Sequence, residues 1–293
     1  MNPRRLLVKC SSVLCHSPRA RRARQVILLL ERLRLRRSAT PEMIERIGST
    51  SGLAVITYNR LAYLKNCILS LNAHQWGHAA VKVIVDDSST EAGYGDFLEE
   101  CRRNGITVIR NEFNGGVAVT KNAALRCLIE RGCKHLFLME DDILIKSERT
   151  LCYYARYAEI NKLQHINFAL HGELNRAKEM LCFHGGWWIL CYPDLTGALS
   201  YYTRELIDQI GYMDEKFHNA LEHVEHTYRA AAIGYTLPFW YFADHPLNVE
   251  LLAEQPAALP NSVIRQGDWQ ANCERAKEYW IVKHGSWLPP RPY

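Results

Sequence analysis

Three consecutive carboxylates, Glu140-Asp141-Asp142, close the apolar run Leu136-Phe137-Leu138-Met139, and Ile143 follows at once. Acids gathered at the end of a buried strand cost free energy unless a positive charge joins them. A divalent cation meets that need, because Asp and Glu oxygens suit Mg²⁺ or Mn²⁺, and such ions hold diphosphates beside one or two protein carboxylates. An acidic turn after a strand is the plainer account of the same residues. A second acid-rich stretch runs Glu222-His223-Val224-Glu225-His226-Thr227-Tyr228-Arg229. On a helix it sets Glu222, Glu225 and His226 three to four residues apart on one face, with Glu225 able to pair with Arg229. Beside a hydroxyl nucleophile, Glu222 or His223 would serve as general base. A solvated, salt-bridged face is the alternative.

Three smaller groups carry chemistry less specifically. Asp86-Asp87-Ser88-Ser89 offers acceptors to a base or ribose, or caps the next helix. Asn114-Gly115-Gly116, ahead of a helix containing Lys121 and Asn122, has the composition of an anion cradle, and equally of a common turn. Asp244-His245-Pro246 ends the apolar run from Phe239 to Phe242, leaving His245 as a further metal ligand or a surface histidine.

The elements that must position these residues alternate. Thr40-Pro41 reads as an N-cap and first helical position for a short helix to about Ile47, and Gly48-Ser49-Thr50-Ser51-Gly52 as a linker. From Leu53 onward, strand-like runs (53–58, 81–85, 106–109 and 136–139) are separated by stretches of helical spacing (61–71, 97–103 and 117–130). Such alternation predicts a largely parallel sheet buried on both faces, with ligands at the carboxyl ends of the strands. Polar clusters fall at four such ends: Thr57-Tyr58-Asn59-Arg60, Asp86 to Ser89, Asn111 to Asn114 and Glu140-Asp141-Asp142. Beyond a helix at 148–161, residues 162–196 mix aromatic, glycine and polar residues without a period, including Gly185-Gly186-Trp187-Trp188, and read as an active-site loop or ordinary irregular structure. Residues 197–203 are strand-like, and 204–210 and 221–232 helical.

The formal charge of +5 hides an asymmetry: residues 1–37 hold eleven Lys or Arg and one acid, so the remainder is net acidic. This argues against a nucleic-acid-binding protein as a whole and leaves a basic N-terminal arm that is a solvated tail, a basic amphipathic segment on anionic lipid, or an Arg-rich transit-like peptide. No run approaches the roughly 20 apolar residues of a membrane span. The ten cysteines show neither Cys-x-x-Cys pairs nor zinc-finger spacing, as expected of buried thiols in a reducing compartment.

Together these motifs resemble glycosyltransferase family 2, on the GT-A nucleotide-diphospho-sugar transferase fold. Val55-Ile56-Thr57-Tyr58-Asn59-Arg60 is similar to the family's opening strand and Tyr-Asn-Arg turn, and Val83 to Ser89 to its Asp-Asp-x-Ser segment. Asn114-Gly115-Gly116 with Lys121-Asn122 resembles the segment lining the nucleotide pocket, Lys replacing the usual Arg. Glu140-Asp141-Asp142 stands where the Asp-x-Asp metal motif would, with Glu for the first Asp, and residues 197–225 resemble the acceptor half, with His223 at the family's catalytic Asp. The resemblance implies an α/β, Rossmann-like, mostly parallel sheet flanked by helices. It divides the chain into a basic arm, short helix and linker (1–52), a GT-A domain (53–250, with a nucleotide-sugar half at 53–145 and an acceptor half at 146–250) and a C-terminal extension (251–293).

The activity so implied is a metal-dependent, inverting hexosyl or N-acetylhexosaminyl transfer from a nucleotide-diphosphate sugar, UDP-sugars favoured, to a glycan hydroxyl in surface polysaccharide biosynthesis. Thr57, Asn59, Arg60, Asp86, Asn114, Lys121 and Asp141 would bind the donor. Asp141 is assigned to ribose or sugar because strand alternation turns it away from its neighbours. Asp142, Glu140 and His245 would hold Mn²⁺ or Mg²⁺, and His223, Glu222 or Glu225 would be the base. The expected setting is cytoplasmic, with peripheral contact at the inner membrane face through the arm. The competing readings are a catalytically silent sugar- or nucleotide-binding relative, which His223 in place of Asp encourages, and a sugar nucleotidyltransferase, which would want a Gly-rich basic loop after the first strand.

Overall fold

A computed structural model describes residues 18–255 and 269–292. The first seventeen residues of the basic arm, and residues 256–268 of the C-terminal extension, lie outside the described residues.

In chain order the elements are α1 (Pro18–Ser38), α2 (Pro41–Gly48), β1 (Ser51–Thr57), α3 (Leu61–Ala73), β2 (Val81–Asp86), α4 (Tyr94–Arg103), β3 (Thr107–Arg110), α5 (Val117–Glu130), β4 (His135–Glu140) and β5 (Ile143–Ile145). They continue with α6 (Thr150–Asn161), β6 (His165–Asn167), β7 (Met180–His184), β8 (Trp187–Tyr192), β9 (Leu199–Thr203), α7 (Arg204–Ile210), α8 (Glu222–Ala232), β10 (Phe242–Ala243), α9 (Asn248–Leu251), β11 (Leu252–Glu254) and α10 (Trp269–His284).

Six strands form the main sheet in the order β3-β2-β1-β4-β9-β6. The first four run parallel, and β9 lies antiparallel between β4 and β6. Alternation along the strands divides the core into two layers. Leu53, Val55, Phe137 and Met139 pack with α3, α4 and α6, while Ala54, Ile56, Leu136 and Leu138 pack under α5 and α7. Both layers are buried, which is why these strands read as unbroken apolar runs. Because β2 and β4 flank β1 on opposite sides, the chain reverses its build direction there, and the carboxyl ends of β1 and β4 open the crevice where such sheets take ligands.

The structure moves several expected boundaries. Ser51 and Gly52 belong to β1 rather than to a linker; a Cβ on Gly52 would stand 2.5 Å from Leu128 Cδ2, so the strand needs glycine where α5 crosses it. The aperiodic 162–196 stretch contains β6, β7 and β8, with β8 central to a small antiparallel sheet in the order β10-β8-β7. Beyond residue 250, β11 pairs with β5 directly after the acidic turn. The expected helix at 41–47 is α2, with Thr40 accepting from the Met43 amide. Before it, α1 packs through buried Glu31 and Leu35. No helix among the described residues is long and apolar enough to cross a membrane.

Candidate active site

Lys121 joins the two acidic stretches. It projects from α5, 1% exposed, and its Nζ lies 3.1 Å from Glu140 Oε1, 3.6 Å from Glu222 Oε1 and 3.3 Å from the Gly197 carbonyl. Glu222 opens α8 and is buried; its Oε1 is 2.8 Å from His223 Nδ1. Burial pushes the Glu222 carboxyl up, but His223 and Lys121 outweigh it and hold its pKa at about 2. When the ring is neutral, a carboxylate on Nδ1 selects the tautomer with the other nitrogen, Nε2, as the acceptor. Gly197 leaves room for this group: a Cβ there would come within 3.0 Å of Lys121 Nζ and 3.2 Å of the His223 ring.

The acidic turn is held from three sides. Arg60, at the start of α3, donates to Asp142 Oδ2 at 3.0 Å and to Asp141 Oδ1. Thr57, at the end of β1, donates to Asp141 Oδ2 at 2.6 Å. Gln255 accepts from Asn66, donates to the Asp141 carbonyl at 2.7 Å, and its amide donates to the Asp142 carbonyl at 2.8 Å. The third wall is His171, whose Nε2 lies 3.6 Å from Asp142 Oδ2 and 3.7 Å from Glu254 Oε1. Burial raises the Asp141 pKa, against Arg60. For Asp142 burial acts in the same sense but is outweighed by His171 and Arg60, so the net shift is downward.

Asp142 Oδ1 is buried without a hydrogen-bond partner. An ionised, orphaned carboxylate oxygen is costly unless a cation reaches it, so the residues at the turn fit a hard divalent ion on Asp142. Among the described residues no three His, Cys, Asp or Glu side chains gather into a ready cation cage.

Some assignments made from the sequence change at the donor rim. Asp86 is fully buried, bonded by Ser89 and paired with Arg110 Nε at 3.1 Å. The Gly115 and Gly116 amides, expected to cradle an anion, both donate at 2.9 Å to Asp87. Asn59 adopts φ +49° and caps the loop after β2 by accepting from the Thr90 and Glu91 amides. Asn114 is exposed at the rim. Lys121 is spent inside the protein rather than offered to phosphate. Asp141 lies past the end of β4, in a turn, so strand alternation does not apply; its carboxylate is turned inward onto Thr57 and Arg60 rather than toward a sugar.

Two predicted residues lie elsewhere. His245 is fully buried against the rings of Tyr153, Tyr154 and Tyr157, and its Nδ1 accepts from the Leu247 amide. It is an interior histidine rather than a ligand of the acidic turn. Glu225 turns away from Glu222 to meet Arg229 at 3.0 Å, Lys283 at 2.9 Å and His284 at 3.4 Å, clasping α10 to α8. Sequence reasoning missed His171, Glu254 and Gln255, which come from the aperiodic stretch and from the supposed extension. Nothing in their sequence surroundings sets them apart: His171 lies in a tract that mixes aromatic, glycine and polar residues, and Glu254 and Gln255 lie some 85 positions further on.

A family model described as glycosyl transferase family 2 matches residues 53–163. Over 257 residues the chain is 23% identical to an uncharacterized glycosyltransferase of Acanthamoeba polyphaga mimivirus, covering 80% of this chain and 95% of that protein. Among solved structures, a mannosyltransferase from Pyrobaculum calidifontis in complex with GDP-Man and Mn²⁺ matches with a TM-score of 0.52 at 15% identity, over 92% of this chain and 75% of that one. GalNAc-T7 with UDP, GalNAc and Mn²⁺ matches with a TM-score of 0.55 at 14% identity, over 80% and 48%. For several of the solved structures it matches, the chain spans about half of their length. The matches to the mannosyltransferase and GalNAc-T7 show the GT-A fold.

Proposed function

We propose that the chain, whose residues 53–163 match a glycosyl transferase family 2 model, is a glycosyltransferase, and that it carries out an inverting, metal-assisted transfer from a nucleotide-diphosphate sugar, UDP-sugars favoured, to a glycan hydroxyl in surface polysaccharide biosynthesis. The observation that carries this reading is the Glu222–His223 pair at 2.8 Å, linked through Lys121 to Glu140 on the acidic turn. It brings a base and a cation-seeking carboxylate to the ends of adjoining elements, the arrangement that a displacement at an anomeric carbon requires.

In this reading His223 Nε2 takes the proton of the acceptor hydroxyl as the oxygen attacks the anomeric carbon from the face opposite the diphosphate. Glu222 holds the ring and stabilises the imidazolium that forms, as an oriented carboxylate does for a histidine base. Lys121 keeps Glu222 ionised. On the donor side, Arg60, Asn59 and Asn114 remain at the rim to meet the nucleotide diphosphate. Asp142, with Glu140 beside it, would hold Mn²⁺ or Mg²⁺, whose charge would offset that of the departing diphosphate.

A labelled-donor panel with EDTA controls tests the reading. UDP-, GDP- and dTDP-sugars are offered, and no metal-dependent hydrolysis or transfer from any of them would overturn it. His223→Ala is expected to lower transfer by about 100-fold or more while leaving nucleotide binding by calorimetry intact. Retained turnover would move the base to Glu222.

A further inference from the structure

We propose that helix α1 and the β7–β8 hairpin form a docking face for an anionic lipid bilayer. One side of α1 is spent on the protein. Glu31 and Leu35 are buried, Ile27 and Leu28 pack against Ala169, Leu181, Leu190 and Tyr192, and Arg32 and Arg36 reach Pro246 and Glu250. The opposite side is apolar and uncovered. Val26, Leu29, Leu30 and Leu33 follow one another at helical spacing and are 57%, 57%, 60% and 45% exposed. Arg22 and Arg37, four residues before Val26 and four after Leu33, continue the same stripe at either end and are exposed.

A solvated helix has no use for four uncovered aliphatic side chains in a row, because each forfeits about 1.5–3 kcal/mol of burial. Two further observations select a bilayer as the occupant. Charge complementarity is the first: the stripe lies within a segment carrying eleven Lys or Arg and one acid over residues 1–37, the composition that anionic headgroups attract. Arginines at the ends of an apolar stripe place their stems along acyl chains and their guanidinium groups among phosphates. The second is aromatic. At the turn of the β7–β8 hairpin Phe183 and Trp187 are exposed, and the Arg34 guanidinium lies 3.4 Å from the Trp187 ring centroid, so the hairpin is fastened beside α1. Exposed Trp next to a basic apolar helix is the pairing found at the headgroup level of membranes.

The inference stands independently of the catalytic reading, and its test uses no turnover. The full chain is sedimented with phosphatidylcholine vesicles, with and without phosphatidylserine, at low and high salt. Binding is expected only with phosphatidylserine and should weaken with salt. The double variant Leu29→Asp, Leu30→Asp is expected to lower the partition coefficient by about tenfold or more, and Trp187→Ala by a smaller factor. Circular dichroism and thermal melting confirm that both variants fold; should the double variant fail to fold, the single Leu30→Ser replaces it. Equal sedimentation with neutral and anionic vesicles would overturn the proposal, as would binding unchanged in the variants. A concentration-dependent dimer that the Leu29→Asp, Leu30→Asp change abolishes, in a chain that ignores vesicles, would equally overturn it, assigning the stripe to self-association.

Discussion

Arg60 is the residue on which the acidic turn depends, because its guanidinium spans both aspartates in a setting with little water: Asp141 is fully buried and Asp142 nearly so. A tethered cation and a divalent ion therefore compete for the same carboxylate. Arg60→Gln keeps a polar side chain but strands two buried acids, and breaking a buried pair in this way costs about 3–5 kcal/mol. The melting temperature is expected to fall without metal. Added Mn²⁺ should then raise it more in the variant than in the native chain, since the ion binds a native state that Arg60 no longer neutralises. Equal Mn²⁺-induced shifts in the two proteins would show that Arg60 and the ion do not share Asp142. Sequence alone made Arg60 a donor-binding residue and Lys121 a phosphate ligand. Local context could not show the acids that each one meets: Arg60 pairs with Asp141 and Asp142, 81 and 82 positions away, and Lys121 on α5 meets Glu222 at the start of the neighbouring helix α8.

At the level of elements, α8 serves two purposes from one short helix. Its first residues, Glu222 and His223, face Lys121 and the crevice, while Glu225 points to the C-terminal helix α10, where Lys283 and His284 meet it and Trp280 packs against Phe217 and Tyr228. This separates a stability residue from a chemical one within a single turn. Glu225→Gln keeps the volume and removes the charge, leaving Lys283 and Arg229 without their shared acid. We expect a loss of about 3 kcal/mol by urea unfolding, with nucleotide affinity unchanged. A variant of native stability whose turnover collapses would instead return Glu225 to the reaction. The β-α alternation from Leu53 to Glu140 was legible because β1 and β4 are buried on both faces and the helices between the strands close at polar loops. The strands β6, β7 and β8 were not, because no helix separates them and they lie in a tract that mixes aromatic, glycine and polar residues. With them went His171, and with the strand β11 beyond the presumed domain edge went Glu254 and Gln255, whose proximity to the acidic turn is a property of tertiary pairing alone.

Across the whole molecule, buried histidines make stability depend on pH in a way whose sign can be worked out. Burial lowers the pKa of His165 to about 4 and those of His226 and His245 to about 3. In the unfolded chain each takes up a proton below its ordinary value near 6.5. The folded state refuses that proton until pH 3–4, so the stability these groups supply is present above pH 6.5 and is lost as pH falls. Asp244 opposes them: burial raises its pKa to about 6, so between there and its ordinary value near 3.8 the folded state keeps a proton that the unfolded state has released. Asp141 and Asp86, whose pKa values burial also raises, act in the same sense as Asp244, so the slope between about pH 6 and 4.5 is the difference between two opposed sets of buried groups. Below that range Glu222, held at about 2, adds to the loss as its unfolded counterpart protonates. Urea titrations from pH 8 to 4.5 measure that difference. His226 gives the decisive comparison. Its Nε2 lies 2.9 Å from the Gly211 carbonyl, a contact that a glutamine amide can reproduce by donating to the same oxygen. His226→Gln removes one titrating site, so the variant, whatever its stability at pH 8, should lose roughly 1.4 kcal/mol per pH unit less than the native chain over the same acid range. An identical slope would mean that His226 is protonated in the native fold, and that the hydrogen bond to Gly211 outweighs the burial that otherwise keeps it neutral.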